Sequence, residues 1–325
     1  MRRVSLLPNW VSIIFIALLP LGIEGSPAIA QQKVTIGGII FARDTQYWQQ
    51  LEKGMKDAAK KYDVELLVQA NRRQLPVEAQ VIEDFITRKV DVIVLPVLDK
   101  SASGTVLRTA KDAGIEIVNI DARLVDETIS SHRVGLDQRA LSGSVGKEMR
   151  KYIDGTLGGS ATLGMVMVSP KDPNYNDRRF GMLDELKGAN VTLAAEITGV
   201  TPEDGANGLE AILQKAPQTQ VVFASNSGTI TGAAAFARRA GAKVKLYGID
   251  MSLELAGMLL DPSSSVEAVA DQQPYLLGYN AIEAAARSKR GEKVDREILV
   301  PTKVYARSRP EEVQQYINFI NSLAK

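Results

Sequence analysis

Short apolar runs and longer amphipathic stretches alternate along almost the whole chain. The first run, 34–41, is rich in β-branched residues, as a strand covered on both faces is. Leu51, Met55, Ala58, Ala59 and Tyr62 then fall on one face of a helix. The pattern repeats with strands at 64–70, 91–96, 115–120 and 132–136 and helices at 77–88 and 102–113. A second series follows, with strands at 161–168, 191–197, 221–224, 245–249 and 266–270 and helices at 141–152, 176–186, 205–215 and 229–240. The tail reads as a helix at 276–289, an extended segment at 298–305 and a helix after the cap-like Ser308. Repeated β-α-β units give parallel sheets covered on both faces. Two such series predict an α/β fold of two similar doubly wound parallel-sheet lobes.

In open parallel sheets, ligands sit beyond the carboxyl ends of the strands. That rule singles out Arg43, Asp44, Thr45 and Gln46 and the adjacent aromatics Tyr47 and Trp48 after the first strand. Adjacent helix residues cannot both face one core, so at least one of the two rings is expected in the cleft. It also singles out Asp121 and Asp250, which end strands at equivalent places in the two series. Each could instead cap the following helix.

The first 30 residues carry an Arg2-Arg3 start, an apolar stretch interrupted by Pro20 and a final Ala28-Ile29-Ala30. This is the grammar of a cleaved export signal, with Gln31 as the new N-terminus; the apolar part is short for a membrane anchor. The chain has 39 basic and 38 acidic residues, and without Arg2, Arg3 and Glu24 the two balance. A neutral surface argues against nucleic acid. There is no cysteine and one histidine, so no disulfide, no lipidated cysteine and no transition-metal site is expected, and no cofactor.

Ordered local patterns then run along the chain. They are Tyr47-Trp48 with Leu51 and Gly54, Val90-Asp91-Val92-Ile93-Val94-Leu95-Pro96, Ala113-Gly114-Ile115 through Asp121, and Val134-Gly135-Leu136-Asp137. Arg178-Arg179-Phe180-Gly181-Met182, Val221 through Asn226, Tyr247-Gly248-Ile249-Asp250, Asp271-Gln272-Gln273-Pro274 and Gly291-Glu292-Lys293-Val294 follow in order. Together and in this order they resemble the periplasmic sugar-binding proteins of the ribose-binding type, and the resemblance implies the type I periplasmic binding protein fold. Its three hinge crossings would fall near Leu136-Asp137, Gln272-Gln273 and Val300-Thr302. The domains would be a signal peptide at 1–30, a first lobe of 33–136 plus 273–300, and a second of 137–272 plus 301–325. It implies a monomeric solute receptor of an ABC importer, free in the periplasm, that closes on a sugar or polyol and docks on an inner-membrane permease. A sensor presenting a sugar to a chemoreceptor or kinase would share every ligand residue.

The implied ligand residues are Tyr47 and Trp48 as aromatic covers, Asp44, Asp121 and Arg123 from the first lobe, Arg178, Asn226 and Asp250 from the second, and Gln272 at the hinge. The chemistry suits a polyol: carboxylates only accept, guanidiniums only donate, and a hydroxyl answers both. Five positions depart from the family pattern. Ala122 separates Asp121 from Arg123, Asp44 and Thr45 replace asparagines, Ser227 stands where an acid is common, and Val200 where an aromatic is. Asp44 therefore adds a carboxylate for a further hydroxyl or an amine. An exported glycosidase using Asp121 and Asp250 is the enzymatic rival. Neither carboxyl is marked by the sequence as its acid, and no nucleophile elbow or phosphate loop is present.

Overall fold

The computed structural model describes Met1 and residues 33–323; the expected export signal and its cleavage position lie outside the described residues. The chain runs β1 Thr35–Ile40, α1 Gln46–Lys61, β2 Glu65–Ala70, α2 Leu75–Thr87, β3 Val92–Pro96, α3 Ala102–Asp112, β4 Glu116–Ile120 and β5 His132–Gly135. It continues with α4 Gln138–Thr156, β6 Ser160–Met167, α5 Tyr175–Glu185, β7 Asn190–Thr198, α6 Pro202–Lys215, β8 Val221–Ala224, α7 Ser227–Ala240, β9 Lys245–Ile249, α8 Leu253–Leu260 and β10 Val266–Asp271. It ends with α9 Pro274–Lys289, β11 Glu297–Leu299, β12 Lys303–Ala306 and α10 Pro310–Leu323.

Two six-stranded sheets result, ordered β2-β1-β3-β4-β5-β11 and β7-β6-β8-β9-β10-β12. The first is parallel throughout; in the second only β12, on β10, runs antiparallel. The apolar runs are apolar on both sides because helices cover both faces: every residue of β3 and β8 is buried. One continuous core holds residues of both lobes, from Ile36 and Leu51 to Met165 and Tyr247. Two further cores lie on the other faces, one built on Phe85, Ile93 and Leu107, one on Ile230, Leu246 and Tyr316.

The chain passes between sheets three times: between β5 and α4, between β10 and α9, and between β11 and β12. The expected extended segment 298–305 is therefore two strands in different sheets, broken at Pro301. α8 was not expected. Ser252 caps it through Leu255 N at 3.2 Å, and Pro262 follows its C-cap Asp261.

Glycine sets how closely the inner helices approach. A Cβ on Gly54 of α1 would lie 2.0 Å from the Tyr275 carbonyl oxygen of α9, and one on Gly278 of α9 2.1 Å from that of Leu51. In the second lobe a Cβ on Gly181 of α5 would lie 2.2 Å from the Arg139 carbonyl oxygen of α4. In each lobe, then, the helix after the first strand is in backbone contact with the helix that follows a crossing. No helix among the described residues is long and apolar enough to cross a membrane.

Candidate functional site

β4 and β9 end on the two aspartates singled out by sequence. Asp121 and Asp250 both adopt left-handed backbone, at φ +62° and +73°. Such a conformation is uncommon outside glycine, and Asp is among the residues that tolerate it. Each strand end thus turns sharply and leaves its carboxylate at the sheet's carboxyl edge.

The carboxylates are joined through two glutamines. Gln138, the first residue of α4, donates from Nε2 to Asp121 Oδ1 at 2.9 Å and to Gln272 Oε1 at 3.1 Å. Gln272, just beyond β10, in turn donates to Asp250 Oδ1. The Gln138 oxygen accepts from Arg178 Nε at 3.0 Å, and Arg178 Nη1 donates to the Ser225 carbonyl at 2.9 Å. Asn174, at the N-cap of α5, donates to the other Asp121 oxygen at 2.9 Å. Sequence reasoning missed Gln138 and Asn174. Both stand at helix starts, where a polar residue reads as a cap.

Arg178 and Gln272 are 7% and 4% exposed. Burial opposes the guanidinium's charge, but Asp250, Asp172 and Asp121 outweigh it and raise the Arg178 pKa. Burial pushes the Asp250 carboxyl up against the opposing effects of Arg178 and Gln272. Tyr47 lies within the field of both aspartates; burial first, then Asp121 and Asp250, hold its hydroxyl well above the usual phenol range. Its neighbour Trp48 is edge-on to it at 4.7 Å and tilted against Phe41 at 4.6 Å. Both rings are partly buried and pack against the core.

The lobes also meet at Gln46, whose Oε1 accepts from Leu253 N at 2.7 Å at the start of α8. Gln50 donates to the Tyr316 hydroxyl at 3.3 Å, and Tyr275 of α9 meets Phe319 of α10 edge-on.

Three expected site residues stand outside this hydrogen-bond network. Arg123 turns away from the cluster: it pairs with Glu297 and, at 3.3 Å, with Glu127. Ala122, which intervenes between the left-handed Asp121 and Arg123, is itself buried. Asp44 is more than half exposed at the rim and pairs with Arg73 at 3.2 Å. The Arg73 guanidinium lies 6.0 Å over the Trp48 ring, so the pair sits outside that ring. Asn226 is the N-cap of α7: its oxygen accepts from Thr229 N at 2.8 Å and from Thr229 Oγ1 at 3.1 Å. The cap uses only the oxygen; no described residue accepts from the Asn226 amide nitrogen. No cluster of potential metal ligands occurs among the described residues.

The cluster can offer an entering molecule two carboxylates, one guanidinium, three amides and an aromatic face, all converging from both lobes. It holds no metal-ligand set and no nucleophile poised beside a base.

A periplasmic binding protein domain model matches residues 36–293. The chain is 25% identical over 286 residues to the ribose import binding protein RbsB of Bacillus subtilis, covering 84% of this chain and 88% of that one. Among solved structures it matches a periplasmic solute-binding protein of an ABC transporter from Actinobacillus succinogenes, crystallised with D-allose. The TM-score is 0.79 at 22% identity, over 86% of this chain and 100% of that one. It also matches the binding protein of the arabinose ABC transporter of Shewanella sp. ANA-3, bound to L-arabinofuranose, with TM-score 0.80 at 19% identity over 90% and 98% of the two chains. At these identities the structural matches speak for the fold, two parallel-sheet α/β lobes of the type I kind. The match of the family model over most of the chain settles its kinship: the chain belongs to the periplasmic binding protein domain family.

Proposed function

We propose that the protein is the solute receptor of an ABC importer and binds a monosaccharide or related polyol between its lobes. The observation that carries the reading is the polar cluster Asp121, Gln138, Gln272, Asp250 and Arg178, fed from both lobes and both sides of the hinge, with Tyr47 against it. A polyol is the guest such a set fits: its hydroxyls can donate to Asp121 and Asp250 and accept from Arg178 and the amides. The ribose import relative and the two matched transporter proteins, with D-allose and L-arabinofuranose, favour transport over the sensor reading. The family is one of transport receptors, so the glycosidase reading of Asp121 and Asp250 is set aside. The family is periplasmic.

In this reading the ligand residues are Tyr47, Trp48, Asp121, Arg178, Asn226, Asp250 and Gln272, with Asp44 at the rim as a selector. Lobes of 33–136 plus 273–300 and 137–272 plus 301–325 rotate about the three crossings. The export signal is cut after Ala30, and the closed monomer docks on a permease.

Closure favours whichever form binds ligand, so ligand raises the apparent Tm. The test is a thermal-shift screen of residues 31–325 against pentoses, hexoses, polyols, amino sugars and inositols. Trp48 fluorescence is followed for each hit. A saturable shift that Arg178→Ala abolishes is expected. No shift across the panel, with mass analysis of the denatured protein releasing no small molecule, would overturn the reading.

A further inference from the structure

Besides the cluster already described, a half-open cavity of about 340 Å³ lies between the lobes, beside the crossings from β10 to α9 and from β11 to β12. Its floor is the antiparallel ribbon of β10 and β12. Asp271 pairs with Lys303 there, and Tyr305 lies two residues further along β12. With a period of two, all three side chains stand on one face of the ribbon. Gln50 of α1 and Tyr275 and Leu276 of α9 close it from the first lobe, and Tyr316 and Phe319 of α10 from the second.

The floor is charged and unspent. Asp271 is 5% exposed, yet only one of its oxygens is engaged, by Gln273 N at 2.9 Å. No described residue donates to the other oxygen, and none forms an ion pair with Lys303, whose ammonium lies 4.8 Å over the Tyr305 ring. Acid and base face each other across the ribbon without making a salt bridge. A buried carboxyl of this kind is normally paired. Burial pushes Asp271 up to about 7, so a cationic guest would draw it back to the carboxylate. Gln273, Tyr275 and Leu276, at the start of α9, line the same space. The remaining walls are aromatic and aliphatic.

We propose that this cavity is a second ligand site, for a small zwitterion of the α-amino acid type with an apolar side chain. Its ammonium pairs with Asp271. Its carboxylate answers Lys303, and its side chain lies against Leu276, Tyr275 and Phe319. Because both lobes supply walls, the occupant bridges them on the hinge side, and its binding is linked to closure. The site is separate from the polyol cluster and stands whether or not that cluster takes a sugar.

The experiment is calorimetric titration of the purified chain with L-leucine, L-methionine and L-phenylalanine, without sugar. Saturable binding is expected for at least one of them. Lys303→Met and Asp271→Asn each remove a charge-assisted contact and weaken binding about tenfold or more. Phe319→Trp fills the cavity and weakens it too. Melting curves of all three variants confirm that they are folded. Isoamylamine and 4-methylpentanoate, each with one of leucine's two charges, bind more weakly than leucine. Absence of binding by all three amino acids at millimolar concentration would overturn the proposal. So would affinity unchanged in the folded variants, or equal binding by either singly charged analogue.

Discussion

Asp121 and Asp250 occupy equivalent places, one residue past β4 and β9, in the same left-handed conformation, yet their surroundings differ in kind. Asp250 is held by Gln272 at the hinge and faces Arg178 from its own lobe. Both oxygens of Asp121 are instead occupied by residues of the opposite lobe, Gln138 and Asn174. Separating the lobes leaves the Asp250 arrangement standing and strips Asp121 of both partners. The second lobe carries a prepared half-site with its own cation. The first lobe carries a carboxylate whose partners arrive with closure, because its candidate cation, Arg123, is committed to Glu297.

The sharpest way to break this contrast is to remove the cation. Arg178→Ala leaves Asp250 buried without its counter-charge, and ligand affinity should fall by about 3 kcal/mol, roughly a hundredfold. Titration of the ligand found by the thermal screen measures it. A loss below threefold would mean that the second lobe is not the prepared half.

The helix contacts of the two lobes can be compared next. Gly54→Ala and Gly181→Ala each drive a methyl into a backbone carbonyl, so each should cost about 2 kcal/mol or more in urea unfolding. Gly155→Ala in α4, where an added Cβ meets nothing within 4 Å, should leave stability equal or slightly higher. Equal effects at all three positions would show that close approach is not what the glycines serve.

Asp250 and Asp271, both of the second lobe, have carboxyls raised by burial. For Asp271 the native value is about 7, against about 3.9 for the unfolded chain. The native state binds this proton more tightly. Its contribution to stability is therefore greatest below about pH 4, declines as pH rises from about 4 to about 7, and is lost above that. Asp271→Asn should flatten the decline and exceed the parent in stability at pH 8, by up to a few kcal/mol, with a smaller margin at pH 5. Urea curves at the two pH values decide; parallel behaviour of parent and variant would remove the idea.

Smaller effects test the bridge between the halves. Gln138→Leu keeps the volume and deletes three hydrogen bonds, so affinity should drop about tenfold. Arg123→Ala removes only partly exposed ion pairs and should leave affinity within about twofold. A larger loss for Arg123 than for Gln138 would reverse the roles assigned to them.

The alternation of strands and helices was legible because sheets covered on both faces leave continuous apolar runs such as 92–96 and 221–224. α8 escaped because eight residues give barely two turns of periodicity; Ser252 before it and Pro262 after it were the available signals. Asp121 and Asp250 could be singled out from their places at strand ends. Gln138 could not, since its partners Asp121, Arg178 and Gln272 come from three distant parts of the chain and meet only in the assembled cleft. Arg123 was already marked as a departure by the Ala122 before it, and it pairs with Glu297 and Glu127 outside the polar network.

The Gly54 and Gly278 contact has a mechanical consequence. The crossing at Gln272 and Gln273 runs straight into α9, and α9 touches α1 backbone to backbone. The first turn of α1 carries Gln46, Tyr47 and Trp48. At Gly54 the nearest atoms an added Cβ would meet are all backbone atoms of α9, with no rotamer to change. A rotation at this crossing is thus delivered to the aromatic pair as through a crank with no backlash: the rings turn through the angle the hinge turns. A methyl at either glycine would put play into that linkage even if the protein still folded, and the grip on the ligand would loosen far from where the ligand sits.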